Sequence, residues 1–299
     1  MKILITGGSG FIGQALCSAF VEQGYQVGVV SRDPSKAQKR LPQTVDIRSN
    51  VSNFSDFYAD GIINLTGAPI ANRRWSERRK RQLIDSRVKT TEALLSLAQQ
   101  WPAQPSVFIS ASAVGFYGDC GDTTVTEDSP QGSGFSAELC GEWEAAAKEA
   151  KRCCSQVCIL RIGIVLDQPG GLLDRFVLPF KMGLGGRFGS GRQYMPWVHR
   201  SDVIRVIEWL LTHPSMSGTF NLSAPNPVTN AEFVKALGHQ LHRPTVLPVP
   251  EPALKLIFGE MAELMLEGAK MVPKRLLESG FDFEYPAIED ALSSILAKK

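Results

Sequence analysis

KILITGGSGFIG, Lys2 to Gly13, is the stretch whose reading decides the fold. Lys2 to Ile5 is a short apolar run of the kind expected for a buried parallel strand. Gln14 to Glu22 then continue with helical periodicity. Between them each glycine has a mechanical task. Gly7 permits the tight turn out of the strand, Gly10 lets backbone approach a pyrophosphate, and Gly13 lets the new helix pack closely on the sheet. The amides that open this helix, at Phe11, Ile12 and Gly13, combine with the positive end of its dipole to hold a diphosphate. A merely structural tight turn is the alternative, and the strand-to-helix setting argues against it.

The second strand is read at Gln26 to Val30, followed by Ser31 and Arg32. An acid at this strand tip grips a ribose 2′-hydroxyl, whereas a basic residue suits a 2′-phosphate. Arg32 stands where the acid would be, and Ser31 adds a hydroxyl donor. A guanidinium matches phosphate oxygens in a two-pronged way. NADP(H) is therefore the expected cofactor, with Arg32 as an ordinary solvated loop residue the competing reading.

Working outward, 299 residues suffice for one large α/β domain or two smaller ones. The 43% hydrophobic and 21% charged content is that of a soluble globular chain, and a net charge of +2 offers no attraction for nucleic acid or an acidic membrane. Cys17, Cys120, Cys140, Cys153, Cys154 and Cys158 show no C-x-x-C pairing, so reduced thiols are expected. With no signal-like leader and no bilayer-length apolar run, a cytoplasmic location is expected.

The pattern alternates as a doubly wound parallel sheet should. A weak strand is read at 43–47, a strong one at 61–65 running into Thr66, and others at 106–110 and 156–161. Helices are expected over 76–99 and 137–151. Past residue 168 come a helix near 172–182, a glycine-rich stretch at 183–191, and a helix at 201–212 whose Asp202 favours its N-terminus. A late strand at 219–222 returns to the sheet, and helices interrupted by prolines follow from Asn230. The expected division is a Rossmann-like NADP-binding domain over 1–168, plus that late strand, and a smaller, mostly helical substrate domain over 169–299.

TGGSGFIG at 6–13, SASAVGFYG at 110–118 and LRIGIVL at 160–166 resemble the extended short-chain dehydrogenase/reductase superfamily. NLTGAPI at 64–70, RRWSERRKRQLIDSRVKTTEAL at 73–94, GSGRQYMPWVHRSD at 189–202 and the tail at 258–281 resemble its atypical group of epimerase family proteins. The resemblance implies NADP(H) on a Rossmann-like sheet. It sets Leu65 and Thr66 against the adenosine ribose and Val165 beside the nicotinamide carboxamide. Arg87 falls where extended members carry an Asn that reaches the cofactor, so a phosphate or ribose contact is implied for it.

The superfamily's chemistry uses a Tyr as acid/base and a Lys four residues on. A phenol of pKa about 10 needs such a cation to act at neutral pH. Four residues beyond Tyr25, Tyr58, Tyr117, Tyr194 and Tyr285 lie Val29, Ile62, Gly121, Val198 and Glu289, so no Tyr-x-x-x-Lys exists. Aligning the family helix on 134–147 with Glu144 as its trailing Glu puts Ser136 at the Tyr and Cys140 at the Lys. Ser112, matching the superfamily's catalytic Ser, and Tyr117 are the catalytic candidates. For Tyr117 a packed aromatic with a satisfied hydroxyl competes equally. Glu138 is a base or a dipole complement, and Cys140 lacks an activating cation. Arg73 to Arg81 form a basic cluster best read as a solvated helix face. The glycine-rich 183–191 stretch is a substrate loop or a plain connector.

Two functions follow as expectations. One is an NADP(H)-dependent oxidoreductase or epimerase-like enzyme acting on a small molecule, with a sugar nucleotide as the candidate. The other is a non-catalytic NADP(H) sensor. Neither nucleic acid nor membrane is an expected partner, and quaternary structure is not legible in these patterns.

Overall fold

The apolar runs close into one parallel sheet of seven strands in the computed structural model, which describes residues 1–297. The strands are β1 (Lys2–Thr6), β2 (Gln26–Val30), β3 (Asp46–Arg48), β4 (Gly61–Asn64), β5 (Val107–Ala113), β6 (Gln156–Ile162) and β7 (Gly218–Leu222). Their order across the sheet is β3-β2-β1-β4-β5-β6-β7, with every neighbouring pair parallel. The chain winds outward from β1 to β3, then restarts on the other side of β1 at β4. A crevice must open outside the carboxyl ends of β1 and β4, where the winding reverses.

Strand alternation divides the core in two. Ile3, Ile5, Val27, Val29 and Ile63 face one side, where Leu16, Cys17 and Phe20 of α1 (Phe11–Glu22) cover them. Leu4, Ile62, Phe108 and Ile159 face the other. There Leu94, Leu95 and Ala98 of α2 (Glu77–Gln100) meet Ala147 of α3 (Phe135–Lys148). Helix α4 (Arg200–Thr212) lies beside α1, and its Val203, Ile207 and Leu210 complete the first side. A separate apolar cluster joins Leu173 and Phe180 to Trp197, Phe233, Leu237, Leu292 and Ile295. It is built from the helices Leu173–Lys181, Asn230–Leu241 and Ile288–Ala297.

The late strand pairs with β6 from Gly218–Cys158 to Leu222–Ile162, as expected. Two expectations shift. The weak strand read at 43–47 is Asp46–Arg48, because only these residues find the β2 ladder, from Gly28 to Val30. The strand read at 106–110 runs on to Ala113, since β6 supplies partners as far as Ile162.

Asp202 sits in the first turn of α4, as expected, and its carboxylate has a second task. It is fully buried and accepts the amides of Glu284 (2.9 Å) and Tyr285 (3.1 Å), fastening the tail to the sheet unit. His199 Nδ1 caps the helix instead, accepting from the Ser201 amide at 3.1 Å. Among the described residues no helix is long and apolar enough to cross a membrane.

Candidate functional site

The crevice at the switch point is a cleft of about 1090 Å³, lined by residues from the turns after β1, β2 and β4. Gly7 has φ +74°, and a Cβ there would stand 2.4 Å from the Leu65 carbonyl oxygen. The two strand ends therefore approach closely only because residue 7 has no side chain. Gly13 is buried behind the turn, where a Cβ would lie 2.3 Å from the Gly7 oxygen. Gly10 is the N-cap of α1, with no side-chain cap and no acid in the first turn. The first helical bond to form is Gln14 N–H to the Gly10 carbonyl (2.9 Å), leaving the amides just ahead without an intrahelical acceptor. The start of the helix, through Gly10, thus opens on the cleft, an arrangement that attracts an anion.

Gly7, Gly10, Ser31, Arg32, Leu65 and Thr66 all line this one cleft. The Phe11 ring leaves it, packing where Cβ atoms on Gly170 and Gly171 would collide and lying 4.7 Å beneath the Arg200 guanidinium. Ile12 packs against the sheet core. Val165 lies outside the lining, on the short strand Ile164–Leu166 paired with Trp197–His199. Arg87 also lies outside it, behind Gly67.

Beyond β2, Asp33 caps the short helix Pro34–Gln38 by accepting the Lys36 amide at 3.0 Å. This turn sets Lys36 and Arg40 in the same lining as Arg32. Among the described residues none of the three is ion-paired to a carboxylate. The sequence reading had named Arg32 alone. The signal for the others was available: cations four and eight residues beyond it, across an Asp-Pro helix start.

The catalytic candidates lie outside the cleft lining. Ser112 is 3% exposed, and its hydroxyl donates to Glu144 Oε1 at 2.8 Å. Both Glu144 oxygens clasp Arg161, at 2.8 Å from Nε and 2.9 Å from Nη2. Arg161 Nη1 in turn donates to the Tyr117 hydroxyl at 2.8 Å. Tyr117 is 2% exposed; its hydroxyl also contacts Asn221 Oδ1 (2.6 Å) and the Thr126 carbonyl (2.9 Å), and burial raises its pKa despite the cation. Both hydroxyls thus belong to one buried network centred on the Glu144–Arg161 ion pair, the satisfied alternative weighed for Tyr117. Cys140 is buried too, and burial followed by the Glu144 charge pushes its thiol up to about 11. Glu138 lies exposed in the first turn of α3, where it complements the dipole.

The basic cluster is not simply solvated. Arg74 donates to the carbonyls of Leu256 and Ile257, and Lys80 pairs with Glu260 at 2.6 Å, so it ties α2 to the tail. The glycine-rich stretch is packed rather than open: a Cβ on Gly186 would fall 1.5 Å from the Leu247 oxygen, and Asn230 Oδ1 accepts the Phe188 amide at 2.8 Å.

Residues 3–223 match the NAD dependent epimerase/dehydratase family, and 249–295 match a domain of unknown function, DUF1731. The chloroplastic epimerase family protein SDR39U1 homolog of Arabidopsis thaliana is 38% identical, over 99% of this chain and 87% of that protein. Epimerase family protein SDR39U1 of Homo sapiens is 35% identical, over 99% of this chain and all of its own. A crystal structure of the human protein (isoform 2) with NADPH superposes with a TM-score of 0.91 at 32% identity, covering 100% of both chains. Thermus thermophilus UDP-glucose 4-epimerase in complex with NAD shares the fold at a TM-score of 0.80 and 18% identity, covering 99% of this chain and 98% of its own.

Proposed function

From the premise that this chain belongs to the NAD dependent epimerase/dehydratase family, we propose that it binds NADP(H) and acts as an oxidoreductase or epimerase-like enzyme on a small molecule, a sugar nucleotide being the candidate class. One observation carries the cofactor choice: Arg32, Lys36 and Arg40, unpaired, share a cleft with the uncapped start of α1. The volume suits a dinucleotide, and NADPH is the ligand named for the human relative's structure. In this reading Gly7 and Gly10 make room for the diphosphate, and the amides of Phe11, Ile12 and Gly13 hold it. Ser31, Arg32, Lys36 and Arg40 take the 2′-phosphate, Leu65 and Thr66 flank the adenosine ribose, and Val165 lies by the carboxamide. When bound, the nicotinamide supplies or accepts a hydride. Ser112 and Tyr117 remain the candidates for the accompanying proton, their hydroxyls held in this structure by Glu144 and by Asn221 and Arg161. A cytoplasmic setting accords with six free thiols.

That same engagement favours a second reading, a regulatory module whose state follows NADPH or NADP. Spectrophotometric assay of NADPH oxidation and NADP reduction across carbonyl compounds and sugar nucleotides separates the two. Turnover with any of them supports the enzyme; tight binding with no turnover supports the sensor.

Arg32→Asp tests the cofactor reading directly. A charge-assisted contact is worth about 1.5–3 kcal/mol, so NADPH affinity should fall about 10- to 100-fold by calorimetry. NADH affinity should stay level or improve. Equal losses for both nucleotides would show that Arg32 does not read the 2′-phosphate.

A further inference from the structure

The tail presents to water an apolar face that its own helices leave uncovered. The helix Leu173–Lys181 buries Leu173 and Phe180 but leaves Leu178 exposed, with Met182 one turn further along the same face. The helix Glu251–Phe258 buries Leu254 and exposes Ile257 and Leu256, the latter at 78%. On the connection before it, Leu247 is exposed and Val246 is 76% exposed. Most of the large apolar side chains exposed among the described residues fall in these two stretches, 178–184 and 246–257. Single exposed apolar residues are ordinary, whereas a patch of them marks a surface that meets something.

Contacts join the two stretches and give the face a direction. At one end Arg243 Nε donates to the Lys181 carbonyl at 2.9 Å. Gly186 then lies against the Leu247 carbonyl, and Phe188 bridges to Val249. Past that bridge, a Cβ on Gly189 would touch Leu266 Cδ2 at 3.1 Å and Glu251 Cβ at 3.7 Å. Lys181, Arg187 and Arg243 come before the bridge, and Glu263 and Glu267 come after it. None of these five is ion-paired among the described residues. The acids crowd one another instead. Burial, then the Glu267 and Glu260 charges, hold Glu263 above the usual carboxylate range, and burial, then Asp119, do the same for Glu267.

An apolar field with unpaired cations at one end and unpaired carboxylates at the other is complementary to itself. A two-fold rotation lays each basic end on an acidic one and brings the apolar middles together. An acidic membrane surface would answer the cations but repel the carboxylates. We propose that this face is the interface of an isologous homodimer, in which Lys181, Arg187 and Arg243 meet Glu263 and Glu267 of a second copy. Nothing in this rests on the NADP(H) reading.

Sedimentation velocity of the full chain over a range of concentrations reads the assembly. The parent should run as a dimer that added salt weakens. Leu256→Glu, at the most exposed apolar position, should leave a monomer. Lys181→Glu with Arg243→Glu makes both ends acidic, and Glu263→Lys with Glu267→Lys makes both basic. Each pair should raise the dimer Kd about 10- to 100-fold. An equimolar mixture of the two charge variants should dimerise again, because unlike ends then meet; a misfolded chain could not show this recovery. A parent that stays monomeric at every concentration would overturn the proposal, and its capture by phosphatidylserine vesicles would assign the face to a membrane. A dimer indifferent to all three variants would place the interface elsewhere and overturn it equally. So would a mixture that stays monomeric although both charge variants unfold cooperatively in urea. Should either charge variant not fold, Leu256→Glu and the salt response decide.

Discussion

Glu144→Ala lowers the free energy of unfolding by about 3–5 kcal/mol, the usual cost of removing one partner from a buried ion pair. Glu144 is 1% exposed and Arg161 4%. The carboxylate accepts three hydrogen bonds, from Ser112 Oγ and from Arg161 Nε and Nη2. With it gone, the guanidinium keeps the Phe116 ring at 3.4 Å, the Tyr117 hydroxyl and the Glu127 carbonyl, none of them an anion. Urea unfolding measures the change, through the midpoint at constant slope. Replacing both partners by apolar residues, Glu144→Leu with Arg161→Met, recovers much of the loss, because no charge is then stranded. A single-variant loss under about 1 kcal/mol would mean that the pair is solvated and the network is not closed.

Gly13→Ala costs about 3 kcal/mol, near the top of the range for overpacking, and abolishes NADPH binding. The added methyl would lie 2.3 Å from the Gly7 oxygen and 2.5 Å from the Gly8 Cα. Both are backbone, so no side chain can swing aside; the start of α1 must lift from the turn. Alanine's better helix propensity returns only about 1 kcal/mol. Gly10→Ala is the control. Its methyl meets only the Gly7 oxygen, at 3.1 Å, so the fold tolerates it, yet it stands at the surface where a diphosphate would approach. Calorimetry with NADPH and urea unfolding on both variants separate the effects. Parental unfolding of Gly13→Ala would show that helix and turn are not in the close contact described.

The sheet was legible because β1, β4 and β6 are local apolar runs bounded by glycines or polar residues, and such a run needs no knowledge of tertiary partners. The Gly7-Gly10-Gly13 turn was legible for the same reason: its close backbone approaches are set by spacing along one segment. The fate of Tyr117 was not. Its hydroxyl is satisfied by Asn221 on β7, by Thr126 and by Arg161 on β6. Asn221 lies 104 positions away in sequence. The partner of Ser112 was likewise out of sight, because Glu144 reaches it from a helix packed across β5. Asp202 was read as a dipole complement and does sit in the first turn of its helix, but its bonds to the tail amides were not legible. Short-range chemistry could be read along the chain; hydroxyl and carboxylate roles depended on which distant strand closed over them.

The place of β7 governs where this polypeptide can be cut. A fragment ending at residue 168 would contain the whole glycine turn, yet β6 would have lost its outer neighbour and become a bare edge of seven otherwise buried residues. It would also lack the apolar cover supplied by Val203, Ile207, Leu276, Phe281 and Phe283. An unpaired, hydrophobic edge strand recruits other chains. Such a piece should collect in inclusion bodies, and excision of a working nucleotide-binding half requires a span that reaches past Phe283.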